Sequence, residues 1–230
     1  MALSQEFEGD ELVDARERFF REAETAGRLQ HQNIVTIFDA GEEHDLAFIA
    51  MEFLKGKDLV DSCKDGQLLP LPTVLSIVAR VAEALSYAHR QNVVHRDIKP
   101  ANIFIRADGS PVLLDFGAAR QALVSHSRSM TSLATAHYAA FEQYSTHGKQ
   151  GAWTDIYGLA ATLYHAATGE KPKDSPDRIL EDTLEPLATK AAGRYARDFL
   201  RAIDAGMAVR PENRPQTVRE WREHAYQRVG

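Results

Sequence analysis

A chain of 230 residues with 44% hydrophobic and 26% charged residues has the composition of an ordinary soluble globular protein and can bury the core of one large or two-lobed domain. Its formal net charge of -6 gives no reason to expect nucleic acid or an acidic membrane as partner, and a single cysteine, Cys63, excludes an internal disulfide or a multi-thiolate zinc site. No run approaches the roughly 20 apolar residues of a membrane span, and Met1 to Asp10 is too acidic for a signal peptide, so the chain is expected in the cytoplasm.

After an acidic, weakly patterned start, Phe19, Phe20, Ala23, Ala26, Gly27 and Leu29 fall at helical spacing. Ile34 to Phe38 and Ala47 to Met51 are β-rich runs around Gly41-Glu42-Glu43-His44-Asp45, which predicts an antiparallel hairpin. From Pro72 to Gln91, Val74, Ile77, Val78, Val81, Ala82, Leu85 and Ala88 repeat every three or four residues, the pattern of an amphipathic helix with proline at its start. His89 lies beside that apolar face and reads as a packed structural histidine. Asp115 to Glu142 is a long irregular stretch, and such loops inside compact domains are usually functional. Trp153 to Thr168 is apolar on nearly all sides, which predicts a buried helix, and three more helices are expected around 176–184, 194–207 and 215–227.

The chemistry concentrates in His95-Arg96-Asp97-Ile98-Lys99-Pro100-Ala101-Asn102, followed thirteen residues after Asn102 by Asp115-Phe116-Gly117. Phosphoryl transfer needs a carboxylate to orient and deprotonate the attacking hydroxyl, a cation on the transferring phosphate, and oxygen ligands for Mg²⁺. Asp97, Lys99, Asn102 and Asp115 supply these groups. Ile103-Phe104-Ile105 and Val112-Leu113-Leu114 read as strands around the turn Asp108-Gly109-Ser110, a hairpin that folds Asp115 back beside Asn102.

These two motifs at this spacing resemble the catalytic and metal-binding loops of the eukaryotic-type (Hanks-type) serine/threonine protein kinases, in a bacterial-looking form, with Lys99 marking the serine/threonine class. The resemblance runs from about Arg18 to Tyr226. It implies an α+β, protein-kinase-like two-lobed fold: a partial N-terminal lobe over 1–54, ending in the hinge, and a mainly helical C-terminal lobe over 55–230. It implies a kinase that uses ATP and Mg²⁺ and acts on Ser or Thr hydroxyls of protein substrates. Asp97, Lys99, Asn102 and Asp115 would be catalytic, with Asn102 and Asp115 holding the metal.

The same resemblance makes residues near 19–29 helix C, with Glu22, or its neighbour Glu24, as the glutamate that pairs with a strand lysine. Met51 becomes the gatekeeper, the backbones of Glu52 and Leu54 meet adenine, Asp58 sits near the ribose, and Phe104 is a further nucleotide contact. In the activation segment Thr135 would touch the catalytic aspartate and lysine, and Thr131 matches a common phosphorylation position whose phosphate Arg96 would receive. Ser125, Ser127, Ser129 and Ser132 compete as sites. Asp155 would hold the catalytic-loop backbone or cap its helix, and Glu142 would form a buried ion pair with Arg214.

The chain departs from the family pattern in four respects. Ala140-Phe141-Glu142 stands where Ala-Pro-Glu is usual, and Ala134 stands where glycine is common. There is also no glycine-rich phosphate loop, and no lysine precedes Lys55. The chain is therefore expected to be either part of a longer kinase lacking its first three strands, weakly active alone, or an inactive pseudokinase or scaffold. A small-molecule phosphotransferase sharing the same loop is a further alternative.

Overall fold

The computed structural model describes residues 17, 20–21, 23–44, 46–64, 66–116, 136–145 and 147–226. The first helix, α1, is helical at 23–27, and its apolar positions Ala23 and Ala26 are buried, as is Leu29 just after it. Two strands follow, β1 (Ile37–Glu43) and β2 (Leu46–Met51), paired antiparallel from Ile37↔Met51 to Glu43↔Leu46. The predicted turn over 41–45 is shorter than the spacing suggested, because Gly41, Glu42 and Glu43 continue the strand and the chain reverses at His44, whose φ is 51°. Gly41 permits this: a Cβ there would lie 2.7 Å from the ring of Phe48 opposite it.

A second sheet has the order β3 (Gly56–Asp58), β4 (Ile103–Arg106) and β5 (Pro111–Leu113), all antiparallel. β4 and β5 are the predicted hairpin, whereas β3 was not expected: the segment after Lys55 becomes a strand only because β4 supplies its partner, with Gly56 opposite Arg106 and Asp58 opposite Phe104.

The helices form the larger part of the molecule. In α2 (Leu71–Arg90) the apolar stripe Val74, Ile77, Val81, Ala82, Leu85 and Ala88 is buried, and Pro72 occupies the first turn, where its missing N–H costs nothing. The central post is α3 (Ala152–Thr168), buried on nearly every side from Thr154 to Ala167 and ended by Gly169 in the left-handed conformation, φ 76°. It passes directly beneath the His95–Asn102 loop: a Cβ on Gly158 would lie 3.0 Å from both Cβ and the carbonyl oxygen of Ile98. Any side chain there would push the loop off the helix.

Beyond α3 come α4 (Ser175–Leu180), α5 (Leu187–Lys190), α6 (Arg197–Gly206) and α7 (Val218–Tyr226). Three match expected helices but are shorter, and α5 was not expected. Its first N–H groups at Leu187 and Ala188 are satisfied by the Asp204 carboxylate of α6 at 2.6 and 3.0 Å, a cap that comes from across the fold. The core is continuous from Ala26, Leu29 and Ile34 through α2 and α3 to Trp221 of α7. No helix among the described residues is long and apolar enough to cross a membrane.

Candidate active site

The site is assembled where α3, the loop after α2 and the β4–β5 hairpin meet. In the loop, Lys99 Nζ lies 2.9 Å from Asp97 Oδ2, and both residues are buried, 5% and 7% exposed. Burial makes the pair costly unless each charge has its partner, so lysine and aspartate hold one another in place. Asn102, in a 3₁₀ turn started by Pro100, donates its Nδ2 to the Asp97 carbonyl at 2.8 Å and to Asp97 Oδ2 at 2.9 Å. With its nitrogen so committed, the amide oxygen of Asn102 is left as an acceptor.

The hairpin then returns the chain. The Leu114 N–H donates to the Asn102 carbonyl at 2.9 Å, which sets Asp115 beside the loop although thirteen residues separate it from Asn102. Asp115 is exposed and adopts a φ of 47°, a left-handed conformation that an aspartate tolerates better than most residues. His95, completely buried, ties the two segments together, since its Nε2 meets the Leu114 carbonyl at 2.8 Å and its ring packs 4.6 Å from Phe116.

Asn102 and Asp115 thus carry an amide and a carboxylate on backbone segments joined by the Leu114–Asn102 bond, oxygen ligand types that suit a hard cation such as Mg²⁺. Among the described residues no group of three or more His, Cys, Asp and Glu side chains could hold a metal. A two-oxygen site fits a Mg²⁺ that keeps waters and takes its other ligands from phosphate.

Beneath the loop, Asp155 of α3 is 1% exposed and accepts three bonds: from the His95 N–H at 2.9 Å, from the Arg96 N–H at 2.7 Å, and from His89 Nε2 at 2.7 Å. His89 therefore serves this carboxylate, beyond merely packing. Arg96 has a φ of 67°, so the residue before Asp97 is held in a conformation that most side chains avoid. Its carbonyl accepts from Gln143 Nε2 at 2.7 Å.

Glu142 and Arg214 face each other through bonds of 2.8 and 2.9 Å, with side chains 4% and 0% exposed. Thr154 of α3 donates to the same carboxylate at 2.9 Å. Arg214 also donates to the carbonyls of Ala208, Val209 and Trp153 and lies 4.8 Å over the Tyr157 ring. The 3₁₀ turn Phe141–Tyr144 carries Glu142, so the segment without the usual proline still has a regular path.

At the end of β2, Met51 is 41% exposed. Glu52 clasps the segment after α1. Its N–H donates to the Thr36 carbonyl at 2.9 Å, while its Oε1 accepts from the Thr36 N–H at 2.9 Å. Its Oε2 meets Arg106 at 3.1 Å, and Arg106 also donates to the Gln32 carbonyl at 3.0 Å. The Glu52 carbonyl and the Leu54 N–H have no backbone partner among the described residues. Asp58, opposite Phe104, accepts from the Val60 N–H at 3.0 Å. Cys63 is buried and its thiol is pushed up to about 12, chiefly by desolvation, so it is inert.

Glu22, Thr131 and Thr135 lie outside the described residues, as do Gly117 and the competing serines. Sequence reasoning missed Gln143, Thr154, Arg106 and the tying role of His95. The histidine's place in the motif was its only local signal.

Residues 3–226 match the family described as the protein kinase domain. The chain is 35% identical over 218 residues to the serine/threonine-protein kinase PknB of Mycobacterium leprae, covering 89% of this chain and 35% of that protein. It is 36% identical over 222 residues to the serine/threonine-protein kinase PknF of Mycobacterium tuberculosis, covering 84% and 46%. The solved structure "PpkA-294 apo form" superimposes with a TM-score of 0.84 at 30% identity, covering 94% of this chain and 76% of that one. The chain spans between a third and a half of the length of these two kinases.

Proposed function

The chain belongs to the protein kinase family, and from that premise we propose that it transfers the γ-phosphoryl group of ATP to serine or threonine hydroxyls of protein substrates. The observation that carries this reading is the buried cluster of Asp97, Lys99 and Asn102, with the segment before Asp115 tied by its backbone to Asn102. Asp97 accepts the proton of the attacking hydroxyl as its oxygen bonds to phosphorus and the bond to the β-phosphate oxygen breaks, releasing ADP. Lys99 steadies the γ-phosphate from beside Asp97, and its amine cannot drift because the carboxylate holds it.

Asn102 and Asp115 would hold Mg²⁺, which when bound supplies positive charge against the phosphates. The Glu52 carbonyl and Leu54 N–H, without backbone partners among the described residues, offer the acceptor and donor that an adenine edge requires, below the gatekeeper position Met51 and near Phe104, with Asp58 toward the ribose. Arg96 would receive a phosphate on Thr131, and Thr135 would contact Asp97 and Lys99. The boundary between the two lobes falls at about residue 54, and the domain works in the cytoplasm, where ATP is available.

The test is incubation with labelled ATP, Mg²⁺ and a generic protein substrate. Label should enter protein Ser or Thr, and Asp97→Asn should lower the rate by roughly 10²- to 10⁴-fold, the contribution of a positioned general base. A melting temperature that rises only with ATP and Mg²⁺ together, and no longer in Asp115→Ala, supports the metal assignment. Label entering only small molecules, or none entering with no thermal shift, overturns the reading.

A further inference from the structure

Arg96 is the joint on which Asp97 turns. Its φ of 67° is unusual for a residue with a long side chain, and such a backbone persists only where neighbours hold it. Its N–H is held from below by Asp155 Oδ1 at 2.7 Å. Its carbonyl is held from the other side by the Nε2 of Gln143, also at 2.7 Å. The same Gln143 side chain accepts the Ala140 N–H through Oε1 at 2.8 Å, and the Gln143 N–H donates to the Ala140 carbonyl at 2.9 Å.

Both ends of the amide are therefore committed, and its orientation is set by the requirement that oxygen face one N–H and nitrogen face one carbonyl. The residue is half-buried and follows Glu142, whose carboxylate is already fixed by Arg214 and Thr154. The turn Phe141–Tyr144 that carries Gln143 is thus anchored before Gln143 reaches the loop.

We propose that Gln143 is a positioning residue for the phosphotransfer reaction: it locks the peptide between Arg96 and Asp97 and so couples the end of the segment 136–145 to the aim of the Asp97 carboxylate. This rests on the kinase reading above. An amide suits the role because it combines one donor and one acceptor in a fixed plane. A carboxylate keeps only the acceptor, and an aliphatic chain keeps neither. Release of the Arg96 carbonyl lets the peptide rotate away from a conformation that it does not favour unaided. The Asp97 side chain then loses its alignment without any change at the nucleotide-facing backbone of Glu52 and Leu54.

The test uses Gln143→Leu and Gln143→Glu, with wild type and Asp97→Asn alongside. Both Gln143 variants should lower kcat roughly 10- to 100-fold, the cost of a misaimed catalytic group, while the KM for ATP stays within about twofold. Amide hydrogen exchange over 95–97 should be faster in both variants, whereas exchange in the α3 core should match wild type. Wild-type kcat in Gln143→Glu would overturn the proposal, because that variant keeps the Ala140 bond and loses only the donor to Arg96. So would a loss confined to KM, or unchanged exchange over 95–97. The exchange measurement needs no turnover, so it decides the role of Gln143 separately from Asp97→Asn, which decides the reaction.

Discussion

The carboxylate of Glu142 and the guanidinium of Arg214, 72 positions apart, meet through two parallel hydrogen bonds of 2.8 and 2.9 Å in a site closed to solvent. The pair joins the turn that bears Gln143 to the loop before α7, and its remaining donors satisfy three backbone carbonyls. Arg214→Ala leaves the buried Glu142 carboxylate without its counter-charge and removes the guanidinium bonds to those carbonyls, and is expected to destabilise the protein by roughly 3–5 kcal/mol. Urea unfolding measures this. Arg214→Lys should recover little of the loss, because a point charge cannot form the paired bonds. Near-wild-type stability in Arg214→Ala would show the pair to be ornamental.

Asp155 is placed under the same strain-bearing loop. Asp155→Asn puts an amide nitrogen against one of the backbone N–H groups of His95 or Arg96. A buried donor left without an acceptor costs roughly 1–3 kcal/mol. We expect a lower unfolding midpoint and a fall in kcat, and a variant that loses stability with no loss of kcat would separate Asp155 from catalysis.

The Glu52–Arg106 contact links the segment after β2 to the end of β4, and Arg106 reaches on to Gln32. Both side chains are about a quarter exposed, so solvent weakens the pair and a contribution of about 1 kcal/mol is reasonable. Arg106→Ala should weaken binding of Mg·ATP about fivefold, read by calorimetric titration, with kcat little changed. An unaltered affinity would mean that the hinge keeps its shape without the clasp.

Acid should act through His165. Burial, then Lys171 and His137, lower its pKa from 6.5 to about 4, and its ring Nδ1 lies in hydrogen-bond contact with the Tyr138 hydroxyl at 2.7 Å. Since the folded state binds the proton more weakly than the unfolded chain, this contribution is complete above pH 6.5 and declines as pH falls toward 4. His165→Gln should therefore flatten the pH dependence of stability between those limits, measured by urea midpoints at several pH values. An unchanged slope would assign the acid sensitivity elsewhere.

Much of this arrangement is readable locally. The stripe from Val74 to Ala88, the all-round apolar run of α3 and the two short runs of the β4–β5 hairpin each carry their own periodicity, and the motif residues carry their chemistry by type and spacing. The strand β3 and the helix α5 are not readable in this way. The three residues Gly56–Asp58 become a strand because β4 is there to pair with them, and Leu187–Lys190 becomes a helix because Asp204 of another helix caps it.

By itself, then, the order of residues determined which groups could do phosphate chemistry and that a short ribbon would return Asp115 toward Asn102. Only the tertiary structure decided what holds them. The left-handed turn at Arg96, the two-sided grip of Asp155 and Gln143 on its peptide, and the clasp of Arg106 on Glu52 arise between segments distant in the chain. Hydrogen bonds of this kind form wherever packing brings a donor to an acceptor, and no local pattern encodes which donor will arrive.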